Sequence, residues 1–140
     1  MKQICLKAIS VAVKYYPKKK LQHALRVANY AVEIGSFDIR CEGKSDELFV
    51  VGILHDLVED TEYTKDQLYE DFGYSIGDAV MTVTKDKNEK YQEYIQRVLA
   101  SKNLIAFVVK KADMKDHMAQ TETLTDKLKE KYFPVIHYFI

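Results

Sequence analysis

The chain has 140 residues, of which 47% are hydrophobic and 30% are charged. This length favours one compact domain over residues 1–140, and the apolar content excludes a disordered chain, because apolar burial offsets the entropy lost on folding. Basic and acidic residues number 21 each, so no overall field of one sign recruits nucleic acid or an anionic membrane.

Apolar spacing predicts two helices near the N-terminus. The first runs from Ile4 to Tyr16, where Pro17 ends it because the proline ring prevents a helix from continuing. The second follows directly and is closed by Gly35. It carries His23 in its first turn.

The middle of the chain contains a strongly apolar segment followed by a capping motif. Ser45 is the predicted cap of a third helix, which ends at His55-Asp56 and includes apolar residues up to position 58. Thr64 begins a capping box for a fourth helix, and Gly73 is its predicted stop.

Further helical segments complete the chain, and no stretch predicts a strand. They are residues 75–83, residues 88–100 with Asn88 as cap, a helix capped by Asn103 that carries Asp113, and a last helix opened by Thr121 or Thr123 and interrupted by Pro134. Since no segment shows sustained period-two alternation, the predicted fold is all-α, an irregular helical bundle.

Cysteine usage and the N-terminus favour a cytoplasmic protein. Cys5 and Cys41 form neither a CxxC motif nor a disulfide-dense pattern, as a reducing compartment permits. Lys7 interrupts the first apolar run, and residues 8–13 are too few for a signal-peptide core or a membrane span. We therefore expect a cytoplasmic location.

Two acidic residues follow apolar runs, where a charged side chain requires compensation. Asp56 comes directly after His55 at the end of residues 49–54, and Asp113 follows a second apolar segment. A buried carboxylate is either neutralised by a pKa shift or stabilised by a cation, and a metal ion is one such cation. His23 raises the same question in a milder form.

Imidazole and carboxylate side chains together suit a divalent ion, with positions left for water and a phosphate oxygen. The alternative is structural: His23 caps a helix or donates a hydrogen bond, while Asp56 and Asp113 pair with neighbouring lysine or arginine side chains. The residue types alone leave both interpretations open.

The order of these residues resembles the H…HD…D signature of the HD-domain phosphohydrolase superfamily, with His23, His55-Asp56 and Asp113 in the matching places. Two further segments, LHDLVEDT around the HD pair and the DFG…VTKD stretch of residues 71–86, are similar to the hydrolase domain of the RelA/SpoT family and its small stand-alone relatives. Those proteins remove pyrophosphate from guanosine 3′,5′-polyphosphate alarmones.

The resemblance implies an HD-type fold over the whole chain and four ligands for one divalent ion, which are His23, His55, Asp56 and Asp113. Mn²⁺ is the expected ion, with Fe²⁺, Mg²⁺ or Zn²⁺ as alternatives. Glu59 and Asp60 match the family's ED pair and would orient or deprotonate the attacking water and protonate the leaving group. Glu59 follows His55 by four residues, which predicts a shared helical face.

The region ahead of the first histidine departs from the family pattern. Alarmone hydrolases carry a Gln-x-Arg-x-x-Gly stretch and a tyrosine there, whereas this chain reads YYPKKKLQHALRVA. Lys18, Lys19 and Lys20 are candidate phosphate contacts, with a solvated loop as the alternative. Arg26, three residues after His23, is another candidate phosphate contact.

The region after the last aspartate departs as well. The family's asparagine is replaced by His117, four residues after Asp113, so His117 is predicted either to line the site or to lie in solvent at the helix end. These departures leave the metal ligands intact and alter the part of the pattern that contacts guanosine.

Three functions fit these features. The first is a metal-dependent pyrophosphohydrolase of a nucleotide, with the 3′-pyrophosphate of the alarmone as lead substrate. The second is a nucleoside monophosphate phosphatase on the same scaffold, and the third is a regulatory module that binds a nucleotide without turnover. The expected partner is a small nucleotide, with neither nucleic acid nor membrane.

The C-terminal end is rich in aromatic residues, namely Tyr132, Phe133, Tyr138 and Phe139, followed by Ile140. Such an end either packs into the core or forms the contact of a homodimer. We favour packing into the core.

Overall fold

The computed structural model describes residues 2–120 and 124–139. Within these ranges the chain is helical and contains no strand, which confirms the all-α prediction. The α-helices are α1 (Gln3–Tyr15), α2 (Lys18–Ser36), α3 (Ser45–Leu54), α4 (Leu57–Asp60), α5 (Lys65–Thr82), α6 (Tyr91–Ala100), α7 (Leu104–Ala119) and α8 (Asp126–Ile136), and 3₁₀ turns cover Ile39–Cys41 and His137–Phe139. None of the described helices combines the length and apolar character needed to cross a membrane.

Helix α2 lies at the centre of the main core and packs against both α3 and α7. Its inward face consists of small residues, and Ala24 and Ala28 are completely buried. Opposite them, α3 presents Gly52, where an added Cβ atom would lie 2.6 Å from the Ala28 Cα atom. The two helix backbones therefore approach each other closely, and this approach sets the distance between His23 on α2 and the end of α3.

A second cluster of buried residues joins α6, α7 and α8, and it includes part of the aromatic C-terminal end. Tyr132 and Phe139 are buried, and the Phe139 ring stacks on Phe107 with the centroids 5.0 Å apart. Of the other residues at this end, Phe133 and Tyr138 are exposed, and Ile140 lies outside the described residues. Core packing thus holds for the two buried rings, and the homodimer stays a prediction.

Several predicted helix ends are confirmed. Thr64 and Gln67 form the predicted capping box at the start of α5, and the Asn103 side chain accepts a hydrogen bond from the Ala106 N–H at the start of α7. Gly73 interrupts α5 with φ 80° and ψ 178°, a conformation that glycine tolerates and other residues rarely adopt. The helix resumes directly after it, and the preceding Phe72 is a core residue.

The third predicted helix ends within one residue of the predicted His55-Asp56, since α3 ends at Leu54, but Val58, which was predicted on its apolar face, lies in a separate helix. Asp56 adopts φ −101° and ψ 0°, outside the helical region, and the separate short helix α4 begins at the next residue. The prediction that Glu59 shares a continuous helical face with His55 is therefore wrong.

Two predicted caps are displaced. Ser45 is the first residue of α3, and the cap position belongs to Lys44. Asn88 lies in a turn, and α6 begins at Tyr91. The turn is fixed by Arg97, whose guanidinium donates hydrogen bonds to Glu89 and to main-chain carbonyls before the turn, and this keeps the helix from beginning earlier.

The start of the last helix also differs from the prediction. Thr121 and Thr123 lie outside the described residues, and α8 is capped by Thr125, whose hydroxyl accepts a hydrogen bond from the Leu128 N–H. Pro134 does not interrupt α8, which continues through it to Ile136. A proline so close to a helix end removes only one of the last backbone hydrogen bonds.

The Gly52–Ala28 contact gives a first testable prediction. Replacing Gly52 with alanine places a methyl group against backbone atoms, so α2 and α3 must separate, and we expect a net destabilisation of about 1–2 kcal/mol despite alanine's better helix propensity. Urea denaturation measures this. Ser10→Ala on the exposed side of α1 is the control, and equal stability of the two variants would contradict the packing argument.

Candidate active site

Four side chains from separate parts of the chain converge at one point. His23 comes from α2, His55 and Asp56 come from the turn between α3 and α4, and Asp113 comes from α7. One potential ligand atom from each lies within 4.8 Å of the others. Atoms that bind one divalent ion at about 2.0–2.6 Å lie up to about 4–5 Å apart, so the spacing fits a single ion.

His55 provides the test of whether a cation fits this cluster. Its Nδ1 lies 2.7 Å from the Gly52 carbonyl oxygen, to which it donates a hydrogen bond, so Nε2 is the ring nitrogen free to bind an ion. Nε2 is buried, lies 3.2 Å from Asp56 and 3.3 Å from Asp113, and has no hydrogen bond with a described residue. A ring nitrogen that faces two carboxylates requires positive charge between them, which a proton on Nε2 or a bound cation supplies.

The electrostatics of His55 lead to the same conclusion. Burial alone would lower the pKa of His55, but the Asp56 and Asp113 carboxylates raise it well above its usual value. Conversely, burial would raise the pKa of Asp56, and His55 lowers it to about 2. The cluster thus holds ionised carboxylates that favour positive charge beside them, as a divalent ion supplies.

Asp113 is shared between the histidines and a buried lysine. Its Oδ1 lies 2.9 Å from His23 Nε2 and 3.2 Å from His117 Nε2, while its Oδ2 accepts a hydrogen bond from Lys110 Nζ at 2.9 Å. Burial would raise the pKa of Asp113, but Lys110 and the histidines hold it well below its usual value. Lys110 therefore keeps Asp113 ionised at a completely buried position.

A second acid orients His23. Asp116 is buried, and its Oδ2 lies 2.6 Å from His23 Nδ1. Its two oxygens also accept hydrogen bonds from Arg26 at 2.7 and 3.1 Å. Because Asp116 binds Nδ1, Nε2 faces the cluster, which is the arrangement in which a carboxylate orients a metal-binding histidine.

Glu59 and Asp60 on α4 extend the cluster, since each offers an oxygen within 4.8 Å of an Asp56 oxygen. The Glu59 Oε1 accepts a hydrogen bond from the Lys85 N–H at 2.8 Å. Burial raises the pKa of Glu59, the Lys85 N–H opposes this, and Asp56 and Asp60 raise it further. A carboxyl group with a raised pKa suits proton transfer near neutral pH.

A cavity of about 230 Å³ opens beside the cluster. Residues of the cluster and the Glu59–Asp60 pair both contribute to its wall. Its wall includes His55, Asp56, Glu59, Asp60, Asp113 and His117, together with Lys20, Lys85, Lys110 and Lys131 and the rings of Tyr91, Tyr94 and Tyr132. His117 packs between two rings, 4.6 Å from His23 and 5.4 Å from Tyr132, measured between centroids. Acids, imidazoles and ammonium groups thus face one small volume.

The predicted phosphate contacts are placed differently from one another. Lys20 lines the cavity and forms ion pairs with Asp60 at 2.8 Å and with Asp56 at 4.0 Å. Lys18 and Lys19 are exposed in the first turn of α2, outside the cavity wall, and they do not lie in a loop. The Arg26 guanidinium binds Asp116 through two of its nitrogens, and its role as a phosphate contact stays a prediction.

Several residues of the site were not predicted from the sequence. Lys110 and Asp116 lie three residues before and after Asp113, so the i, i+3 spacing on α7 was a signal that could have identified both. Tyr91, Lys131 and Tyr132 gave no such signal. They reach the cavity only because α6 and α8 pack against α7.

Comparison with known proteins gives the family. A family model of the HD domain matches residues 21–133. A GTP pyrophosphokinase of Streptomyces antibioticus is 29% identical over 153 aligned residues, covering 94% of this chain and 17% of that protein. The corresponding protein of Streptomyces coelicolor is 30% identical over 132 residues, covering 84% and 15%.

A third relative carries a hydrolase name. The guanosine-3′,5′-bis(diphosphate) 3′-pyrophosphohydrolase of Haemophilus influenzae is 41% identical over 46 residues, covering 33% of this chain and 7% of that protein. The chain thus spans less than a fifth of the length of these relatives.

The chain belongs to the HD domain family, whose members are metal-dependent phosphohydrolases. The relatives are of the RelA/SpoT type, so the predicted superfamily and the predicted resemblance to RelA/SpoT-type proteins are confirmed.

The cluster makes a testable prediction about metal content. Asp56→Asn keeps the size of the side chain but removes a charged ligand, so we expect the purified variant to retain less than about a tenth of the wild-type metal. Elemental analysis measures this. Asp38→Asn, at a surface carboxylate that pairs with Arg40, is the matched control, and wild-type metal content in Asp56→Asn would refute the ligand assignment.

Proposed function

We propose that this protein is a metal-dependent pyrophosphohydrolase of a nucleotide, with guanosine 3′,5′-polyphosphate as the lead substrate. The observation that carries the proposal is the convergence of His23, His55, Asp56 and Asp113 next to a cavity whose wall includes the Glu59–Asp60 pair. The name of the Haemophilus influenzae relative supports the choice of substrate and of the 3′-pyrophosphate. Mn²⁺ is the proposed ion, since two imidazoles and two carboxylates suit it.

The proposed reaction transfers a pyrophosphoryl group to water. A divalent ion bound by the four ligands supplies Lewis acidity to the phosphoryl group and to water. Glu59 orients a water molecule and accepts its proton as the water oxygen bonds to phosphorus. The bond between phosphorus and the ribose 3′-oxygen breaks, the ion pair of Lys20 and Asp60 supplies a proton to that oxygen, and the products are pyrophosphate and the nucleoside 3′-hydroxyl.

The charges around the cavity support this division of roles. Lys20 pairs with Asp60 at 2.8 Å, so an ammonium group that can donate a proton and neutralise phosphate charge lies at the proposed leaving-group side. Lys110 keeps Asp113 ionised and held in one position. Both lysines therefore stabilise a site that must accommodate several negative charges at once.

The volume of the cavity favours binding of phosphoryl groups inside it, with the nucleoside at its rim. Pockets that enclose a whole small-molecule ligand measure about 300–1,000 Å³. At about 230 Å³ the cavity is smaller, and the polar groups on its wall suit phosphoryl groups more than a purine.

A second candidate is a nucleoside monophosphate phosphatase on the same scaffold. It is favoured by the absence of the family's Gln-x-Arg-x-x-Gly stretch and by the engagement of Arg26 with Asp116, which together remove arginine contacts to a guanine nucleotide. The two candidates differ in their product, which is pyrophosphate for the first and orthophosphate for the second.

Turnover tests the choice directly. Purified protein incubated with Mn²⁺ and guanosine 3′,5′-bis(diphosphate) should release pyrophosphate and GDP, and treatment with EDTA should stop the reaction. Chromatography of the nucleotides and a pyrophosphate-specific assay measure both products. Unchanged alarmone together with orthophosphate release from nucleoside monophosphates would reject the first candidate in favour of the second.

The raised pKa of Glu59 makes a separate prediction about pH. A base must be deprotonated to act, so kcat/KM should fall as the pH is lowered through this raised pKa. Glu59→Gln should keep its metal, lose about 10²–10⁴-fold in kcat and lose this acidic limb.

Glu62→Gln, at an exposed acid just after α4, is the matched control and should behave like wild type. A Glu59→Gln enzyme that keeps the wild-type pH profile would contradict the assignment of the base.

A further inference from the structure

The cavity wall holds four lysines, and they differ in whether an acid already neutralises them. Lys20 pairs with Asp60, and Lys110 pairs with Asp113. Lys85 has no acid beside its ammonium group in the described part of the chain, but that group donates a hydrogen bond to the Asp86 carbonyl oxygen at 3.1 Å. Lys131, from α8, has no carboxylate within ion-pair distance anywhere in residues 2–120 and 124–139. An unneutralised ammonium at the wall of an acidic site is available to an anion from outside.

Aromatic rings hold Lys131 at this wall. Its Nζ lies 4.6 Å from the ring centroid of Tyr91 and 5.3 Å from that of Tyr132. Ammonium groups are attracted to ring faces, which fixes the position of a side chain that would otherwise be mobile. Lys131 is exposed, but partial desolvation of its ammonium group lowers its pKa and the nearby Lys110 ammonium lowers it further, so a bound anion would relieve an unfavourable charge.

Tyr91 supplies a second, independent observation. Its hydroxyl oxygen is buried, and it makes no hydrogen bond with any described residue. Buried polar atoms are nearly always paired in folded proteins, so an unpaired hydroxyl in a cavity wall points to a ligand or a solvent partner. The hydroxyl and the Lys131 ammonium belong to the same wall of the cavity.

The surroundings of Tyr91 favour a phosphate over a nucleobase. Its ring is already in contact with Lys110 and Lys131, at 5.4 and 4.6 Å, and with the rings of Tyr94 and Tyr132, at 5.8 Å each. This leaves little ring surface for stacking of a base. What the wall offers is positive charge and a hydroxyl donor, the groups that bind phosphate oxygens.

We propose that Lys131 and the Tyr91 hydroxyl bind the terminal phosphate of a diphosphate ester whose inner phosphate lies at the His23, His55, Asp56 and Asp113 cluster. This wall then selects diphosphate esters over monophosphate esters, because a monophosphate has no second group to reach it. The inference rests on the proposed function and specifies the substrate class of the same site.

Direct binding of the product tests the inference without turnover. Calorimetric titration of metal-loaded protein with pyrophosphate and with orthophosphate, at equal free Mn²⁺, gives the two affinities. Lys131→Gln should weaken pyrophosphate binding by about tenfold, the effect of a lost charge-assisted hydrogen bond, and leave orthophosphate binding unchanged. Tyr91→Phe keeps the ring and removes the hydroxyl, and should weaken pyrophosphate binding by about threefold.

Lys127→Gln removes the same charge from an exposed position of α8 and should bind both anions like wild type. Unchanged pyrophosphate affinity in Lys131→Gln, or an equal loss for both anions, would overturn the inference.

The two proposals fail separately. Lys131-dependent pyrophosphate binding in a protein that cleaves no diphosphate ester would remove the proposed function and leave the anion site. Cleavage of a diphosphate ester that does not depend on Lys131 would instead support the proposed function and remove the anion site.

Discussion

The close contact between α2 and α3 at Gly52 is the constraint on which the site depends. Because Gly52 has no side chain, the Ala28 backbone can approach, and His23 is brought to the end of α3. The carbonyl oxygen of the same residue accepts the hydrogen bond from His55 Nδ1 and so fixes the ring orientation. One residue thus couples helix packing to the direction of a potential metal ligand, and a larger side chain would disturb both.

The cost of burying charge is distributed over a network around the four converging side chains. Asp113 is compensated by Lys110, and Asp116 by His23 and Arg26. In these pairs, the His23 ring and the Asp113 carboxylate each keep one side directed toward the cluster of potential metal ligands. A buried ion pair contributes little net stability when desolvation is counted. Its value here is positional, because the pairs hold the carboxylate oxygens and the imidazole nitrogens in place before any ligand arrives.

Sequence patterns predicted the all-α fold and the family because both depend on local periodicity and residue order. The predicted helical face shared by His55 and Glu59 failed because apolar periodicity does not report a single residue such as Asp56 leaving helical geometry. The contact of Arg26 with Asp116 could not be predicted from spacing along α2, because it depends on how α7 packs against that helix. The position of Lys131 in the cavity wall could not be predicted from the sequence, because it depends on how α8 packs against the other helices.

The two halves of the cavity belong to different hydrophobic clusters. The four converging side chains lie among the helices of the first cluster, whereas Tyr94 and Tyr132 belong to the second, and Tyr91 packs against it. Cooperative units of this kind can open independently of each other. Loosening of α8 would therefore change affinity and selectivity for the anion while the spacing of the inner ligands persists, so the two properties can diverge during evolution without loss of the fold.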